Sequence, residues 1–112
     1  MDELKKRIRE FNRERDWEQF HTPKNLVMGI SIESAELMEH FLWKNEAESA
    51  AVSRDSIAEI KDECGDVLIY LVNLADRLGF DLIEAAKDKL RKNGKKYPVD
   101  KSKGVAKKYT DL

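Results

Sequence analysis

Glu33 with Glu36, and Glu63 with Asp66, form two pairs of acidic side chains spaced three residues apart. On an α-helix that spacing puts both members of a pair on one face, so each pair can present two carboxylates to one point. Spacing alone does not single them out. With 22 acidic residues among 112, Glu36/Glu39, Glu59/Asp62 and Asp81/Glu84 also fit it; roughly four such pairs arise by chance. Position separates the first two. At 100° per residue, Leu26, Ile30, Leu37 and Phe41 make an apolar stripe with Glu33 at its centre and Glu36 at its edge. A carboxylate on such a stripe must be protonated, salt-bridged or bound to a cation, because burying it unpaired costs several kcal/mol.

If the two helices lie side by side, four carboxylates converge, and their repulsion calls for a proton or a divalent ion. An all-carboxylate set with no His at the pair spacing suits Mg²⁺ or Mn²⁺ better than zinc, and lacks the Glu-x-x-His pair of a di-iron bundle. Ordinary salt bridges to Lys or Arg are the structural alternative. Mg²⁺ keeps few protein ligands and completes its shell with water or substrate phosphates, so the matching substrate is a phosphate ester or anhydride.

Lys89, Asn93 and Lys96 are four and three residues apart. They share a face if their helix persists to Lys96, and then read as phosphate-gripping groups or as ordinary surface residues. Trp17, Phe20 and His21 precede the second helix and Trp43 lies near its end. Such rings either stack on a nucleobase or plug the core.

These side chains need helices to position them. Seven Gly and Pro residues, and no alternating β-branched run, exclude an all-β fold. No apolar run is long enough to span a membrane. Residues 2–16 carry Leu4, Ile8 and Phe11 on a narrow stripe, a flanking helix that packs late. Thr22-Pro23 caps a second helix running to about Lys44, and Asn45 to Ser53 reads as a loop. A third helix runs from about Arg54 to Leu78 and stops at Gly79. Asp81 to Glu84 resembles a capping box for a fourth, which ends near Asn93-Gly94. In the third helix Glu63, Asp66, Tyr70 and Asn73 share one face, beside a broad apolar face from Ile57 to Leu78. The stretch from Val67 to Ala75 is apolar almost all round, which predicts a subunit interface or the central helix of a monomer.

The expected fold is therefore all-α, a four-helix bundle in one domain over residues 1–99, with a basic irregular tail over 100–112. Charge is segregated along it. Residues 1–86 carry a net of −8 and residues 87–108 a net of +8, which fits a metal with a polyphosphate, a nucleic-acid tail, or a solvated lysine-rich end. The lone Cys64 and the charged residues 1–20, unlike a leader, point to a reducing cytoplasm.

Six blocks then resemble one family: Arg15-Asp-Trp-Glu-Gln-Phe-His21, Thr22-Pro-Lys-Asn25, Glu33-Ser-Ala-Glu36, Phe41-Leu-Trp-Lys44, Asp62 to Tyr70, and Lys89 to Val99. In this order they look like the MazG-like all-α nucleoside triphosphate pyrophosphohydrolases, especially the small dCTP pyrophosphatase-type branch. The resemblance implies Mg²⁺-dependent hydrolysis of a (deoxy)pyrimidine triphosphate to monophosphate and pyrophosphate, by water attacking the α-phosphorus. It assigns Glu33, Glu36, Glu63 and Asp66 to metal; of these, Glu36 or Glu63 is our expected group for orienting the water. It assigns Lys89, Asn93, Lys96 and Tyr97 to the phosphates, and Trp17, His21, Asn25, Trp43 and Tyr70 to the nucleoside. It further implies a tetramer built as a pair of dimers, and neither a nucleic-acid nor a membrane partner. Two departures stand out: Lys96 in place of a common arginine, and Gly65 inside a helix, where a close helix contact is the expected reason. The competing reading is a helical module that binds nucleotide or nucleic acid without chemistry.

Overall fold

Thr22 opens the helix that carries the first acidic pair. Its hydroxyl accepts the Asn25 N–H at 3.3 Å, and Pro23 takes the first helical position, where a missing donor costs nothing. The computed structural model describes residues 1–52 and 54–112. It forms two compact units, Met1–Gly79 and Phe80–Leu112.

The first unit contains α1 (Asp2–Glu14), α2 (Pro23–Glu39), α3 (Glu46–Ala50) and α4 (Arg54–Leu78). A single 3₁₀ turn, Glu18–Phe20, joins α1 to α2, and Asn25 Nδ2 donates to the Phe20 carbonyl at 2.9 Å. Helix α2 stops at Glu39, short of the expected Lys44. The amides of His40, Phe41 and Lys44 each bond to a carbonyl three residues back, which tightens the chain into turns. The expected loop from Asn45 holds α3, whose start is a full capping box between Asn45 and Glu48; Ser53, where that loop was expected to end, lies outside the described residues. Gly79 ends α4 with φ +77°, a conformation open to glycine at little cost.

The second unit contains α5 (Leu82–Lys96) and α6 (Val99–Ser102). Asp81 accepts the Glu84 N–H at 2.9 Å, one half of the expected capping box. Helix α5 continues through Gly94 to Lys96, beyond its expected end, and α6 overlaps the start of the tail expected to be irregular.

Within the first unit α4 packs chiefly on α2 and secondarily on α1. The buried apolar side chains are Ile8 of α1, Leu26 of α2, and Val72 and Ala75 of α4. Three polar contacts supplement the thin α1 stripe. Asn12, itself buried, donates to Asn73 Oδ1 at 2.8 Å, and Arg9 grips Asp76 through Nε at 2.7 Å and Nη2 at 2.5 Å. At Gly29 a Cβ would meet the Tyr70 ring, with Cδ1 2.8 Å away, so the close helix approach falls here. At Gly65, where it was expected, a Cβ would meet nothing within 4 Å. No helix among the described residues is long and apolar enough to cross a membrane.

Candidate active site

The packing of α2 on α4 brings carboxylates from both helices together. Oxygens of Glu33, Glu36 and Glu63 lie within 4.8 Å of one another. Oε2 of Glu33 and Oε2 of Glu63 are buried and accept no hydrogen bond from any described residue. Burial, a hydrogen bond with Glu36, and the charges of Glu36, Asp66 and Glu63 push the Glu33 carboxyl up to about 7. Glu63 is also raised above the usual carboxylate range, first by burial, then by a hydrogen bond with Glu36 and the charges of Glu36 and Asp66. Asp66 itself is exposed and stands outside the trio, beside Glu33 in the wall of one cavity.

Among the described residues no Lys or Arg forms an ion pair with any of these four acids. The alternative of salt bridges to Lys or Arg finds no partner among the described residues. Orphaned buried oxygens, close mutual approach and an all-oxygen donor set fit a hard divalent cation.

One neighbour escaped the sequence reading. His40 Nε2 lies 4.0 Å from Glu63 Oε1, and its Nδ1 lies 3.8 Å from Glu59 Oε2. The signal was its position four residues after Glu36, one turn along the same face.

Glu33 and Asp66 form the acidic side of a cavity of about 530 Å³, whose other walls include Ile8, Phe11, Asn12, Trp17, His21, Ile69, Tyr70 and Asn73. Trp17 is wedged edge-on between Phe11 and His21, with ring centroids 5.5 and 6.4 Å away. A neighbouring cavity of about 320 Å³ shares Trp17, His21 and Tyr70 and adds Phe20 and Asn25. Trp43 lines neither and is 90% exposed, in the turn that follows α2.

In the second unit α5 is continuous from Lys89 to Lys96, so Lys89, Asn93 and Lys96 do share a face. Lys96 Nζ stands 4.7 Å above the Tyr109 ring, and half-buried Tyr97 meets the same ring edge-on at 6.0 Å.

A sequence model of the MazG-like family matches residues 28–112, the stretch that holds both acidic pairs and the basic helix. The chain belongs to the MazG-like family. Among its relatives, dCTP pyrophosphatase 1 of Rattus norvegicus is 45% identical and that of Homo sapiens 40%, in both cases over 100% of this chain and 67% of the relative. The crystal structure of a pyrophosphatase from Archaeoglobus fulgidus has a TM-score of 0.83 and 46% identity to this MazG-like chain, covering 88% of it and 92% of that protein.

Proposed function

We propose that this MazG-like protein is a Mg²⁺-dependent enzyme that cleaves a pyrimidine deoxynucleoside triphosphate, dCTP or a modified analogue foremost, between the α- and β-phosphates. Nucleotide pyrophosphohydrolase activity follows from its family and from relatives named dCTP pyrophosphatase. The metal, the base and the residue roles are our reading. The observation that carries it is the trio Glu33, Glu36 and Glu63, two of whose oxygens are buried without a partner, beside a cavity walled by aromatic rings.

Glu33, Glu36, Glu63 and Asp66 would hold the ion. When bound, it supplies countercharge to the triphosphate and makes phosphorus more electrophilic. Glu36 or Glu63 orients the attacking water and takes its proton, since both belong to the close trio of carboxylates. Trp17, His21, Asn25 and Tyr70 enclose the nucleoside. In the second unit, Lys89, Asn93, Lys96 and Tyr97 are the groups suited to bind phosphates, as cations, amide and hydroxyl. Residues 1–99 form the catalytic domain and 100–112 a basic tail.

A homotetramer, a pair of dimers, fits the small core of the single chain. Ile57, Leu68, Ile69 and Leu78 of α4 are exposed, as are Val27, Met28, Ile32 and Met38 of α2. Open space at Gly65, flanked by Leu68 and Ile69, leaves room for a second helix. In that assembly Trp43 closes a neighbouring chain's pocket. The lone exposed Cys64 suits the cytoplasm.

The test is incubation with a triphosphate panel and Mg²⁺ in ¹⁸O-water. The expected products are monophosphate and pyrophosphate, with the label in the monophosphate. Label in pyrophosphate, or release of orthophosphate and diphosphate, contradicts attack at the α-phosphorus.

A further inference from the structure

The cavity beside the carboxylates contains one polar pair that the proposed mechanism does not use. Asn12 of α1 is 7% exposed, and its Nδ2 donates to Asn73 Oδ1 on α4 at 2.8 Å. An amide has two donors and an acceptor with two lone pairs. No other side-chain hydrogen bond joins these two amides to a described residue. Asn12 Oδ1 therefore remains as an acceptor and Asn73 Nδ2 as a donor, with both residues in the wall of the 530 Å³ cavity.

The apolar walls around them are Ile8, Ile69 and the rings of Trp17 and Tyr70. The same wall also carries Arg7, His21, Glu33 and Asp66; apolar and ring surfaces with a few placed polar groups are how proteins fix the orientation of a flat heterocycle. Position along α4 gives the same direction. Asp66, Tyr70 and Asn73 follow at four and three residues on one face, so Asn73 stands about 10 Å along the axis from Asp66. That span is of the order of the reach from an α-phosphate across deoxyribose to the far edge of a pyrimidine.

We infer that Asn12 and Asn73 form the specificity-determining pair, in which Asn12 Oδ1 accepts from an exocyclic amino group and Asn73 Nδ2 donates to the adjacent ring nitrogen of an aminopyrimidine. The inference rests on the reading that this cavity holds the nucleoside of a triphosphate. A 4-oxo pyrimidine presents the two functions in reverse order and leaves both amides facing groups of their own kind. A site built around such hydrogen bonds rejects the mismatched base because its own polar groups are left unpaired. In the observed arrangement Asn12 is the donor of the bond between the two amides, which leaves its Oδ1 as the free acceptor and Asn73 Nδ2 as the free donor.

The decisive comparison measures kcat/KM for dCTP, dUTP and the 2-pyrimidinone deoxynucleoside triphosphate, which lacks the 4-amino group. The wild-type protein is expected to prefer dCTP over both. Asn73→Asp preserves the bond from Asn12 and removes the free donor, so its preference for dCTP over dUTP falls by about 10- to 100-fold while its melting temperature is retained. Asn12→Leu with Asn73→Leu removes both polar groups at similar volume and brings the three substrates within a few-fold of each other; it carries the test if the first variant does not fold. Unchanged base ratios in a folded variant, or an equal loss on all three substrates, reduce the pair to a latch between helices and overturn the inference while the reaction stands. A wild-type protein active on triphosphates but indifferent to the base overturns it too. Hydrolysis of no triphosphate at all defeats the underlying reading, and the inference with it.

Discussion

The Tyr70 ring lies against the backbone of Gly29, close enough that a methyl group on that residue would overlap it. Tyr70 lines both cavities, so this contact joins helix packing to the shape of the site. Gly29→Ala must push the ring aside or separate α2 from α4. It is expected to destabilise the fold by about 1 to 3 kcal/mol in urea denaturation and to raise KM more than it lowers kcat. A stability change below about 0.5 kcal/mol would contradict the close contact.

The raised Glu33 carboxyl makes the metal-free protein sensitive to pH. An unfolded glutamate titrates near 4.5, and Glu33 in the fold near 7. Between these values the folded chain binds the extra proton, so the contribution of Glu33 to stability is greatest below about 4.5, declines as pH rises towards 7 and then levels. Melting temperature in chelator should fall across that window. Saturating Mg²⁺ competes with the proton and should flatten or reverse the slope, whereas parallel curves with and without the ion would speak against a shared site.

Glu33→Gln removes a charge that lies among other acids and that no Lys or Arg among the described residues pairs with. The metal-free variant should melt no lower than wild type at pH 8, and roughly a few degrees higher, while Mg²⁺-dependent turnover falls by about 100-fold or more. A variant that loses stability along with activity would reveal a cationic partner for Glu33 instead.

Helix α1 carries Asn12 and the Phe11 and Ile8 walls into the cavity, and the Arg9–Asp76 pair helps hold it on α4. The Arg9 guanidinium keeps the Asp76 carboxyl below its usual range, so this contribution is present above about pH 4 and is lost as pH falls through the lowered value. In Asp76→Asn, hydrogen exchange should accelerate along α1 and leave the centre of α4 protected. Uniform acceleration in both helices would show that the pair supports the whole unit.

Much of this was legible in the residues. Thr22-Pro23, Asp81 and Gly79 marked helix limits because each acts through its own backbone neighbours. The Asn45/Glu48 box was equally local, yet the polar run hid α3. Helix α2 ended early because three amides turned to carbonyls three residues back, a choice that pattern alone did not fix. Spacing placed the acids on faces but not against each other; that required the α2–α4 contact, which depends on Gly29 and not on Gly65. The pairing of Asn12 with Asn73 spans 61 residues, and nothing in the local sequence of α1 marked it.

The central claim is that carboxylates from α2 and α4 jointly hold the ion that carries the phosphates. Crystals grown with Mn²⁺ and a non-hydrolysable α,β-imido dCTP, read by anomalous scattering, address it directly. The account predicts a manganese peak among Glu33, Glu36 and Glu63, with an α-phosphate oxygen in its shell. A nucleotide bound in the aromatic cavity with manganese elsewhere, and those three side chains free of it, would contradict the account.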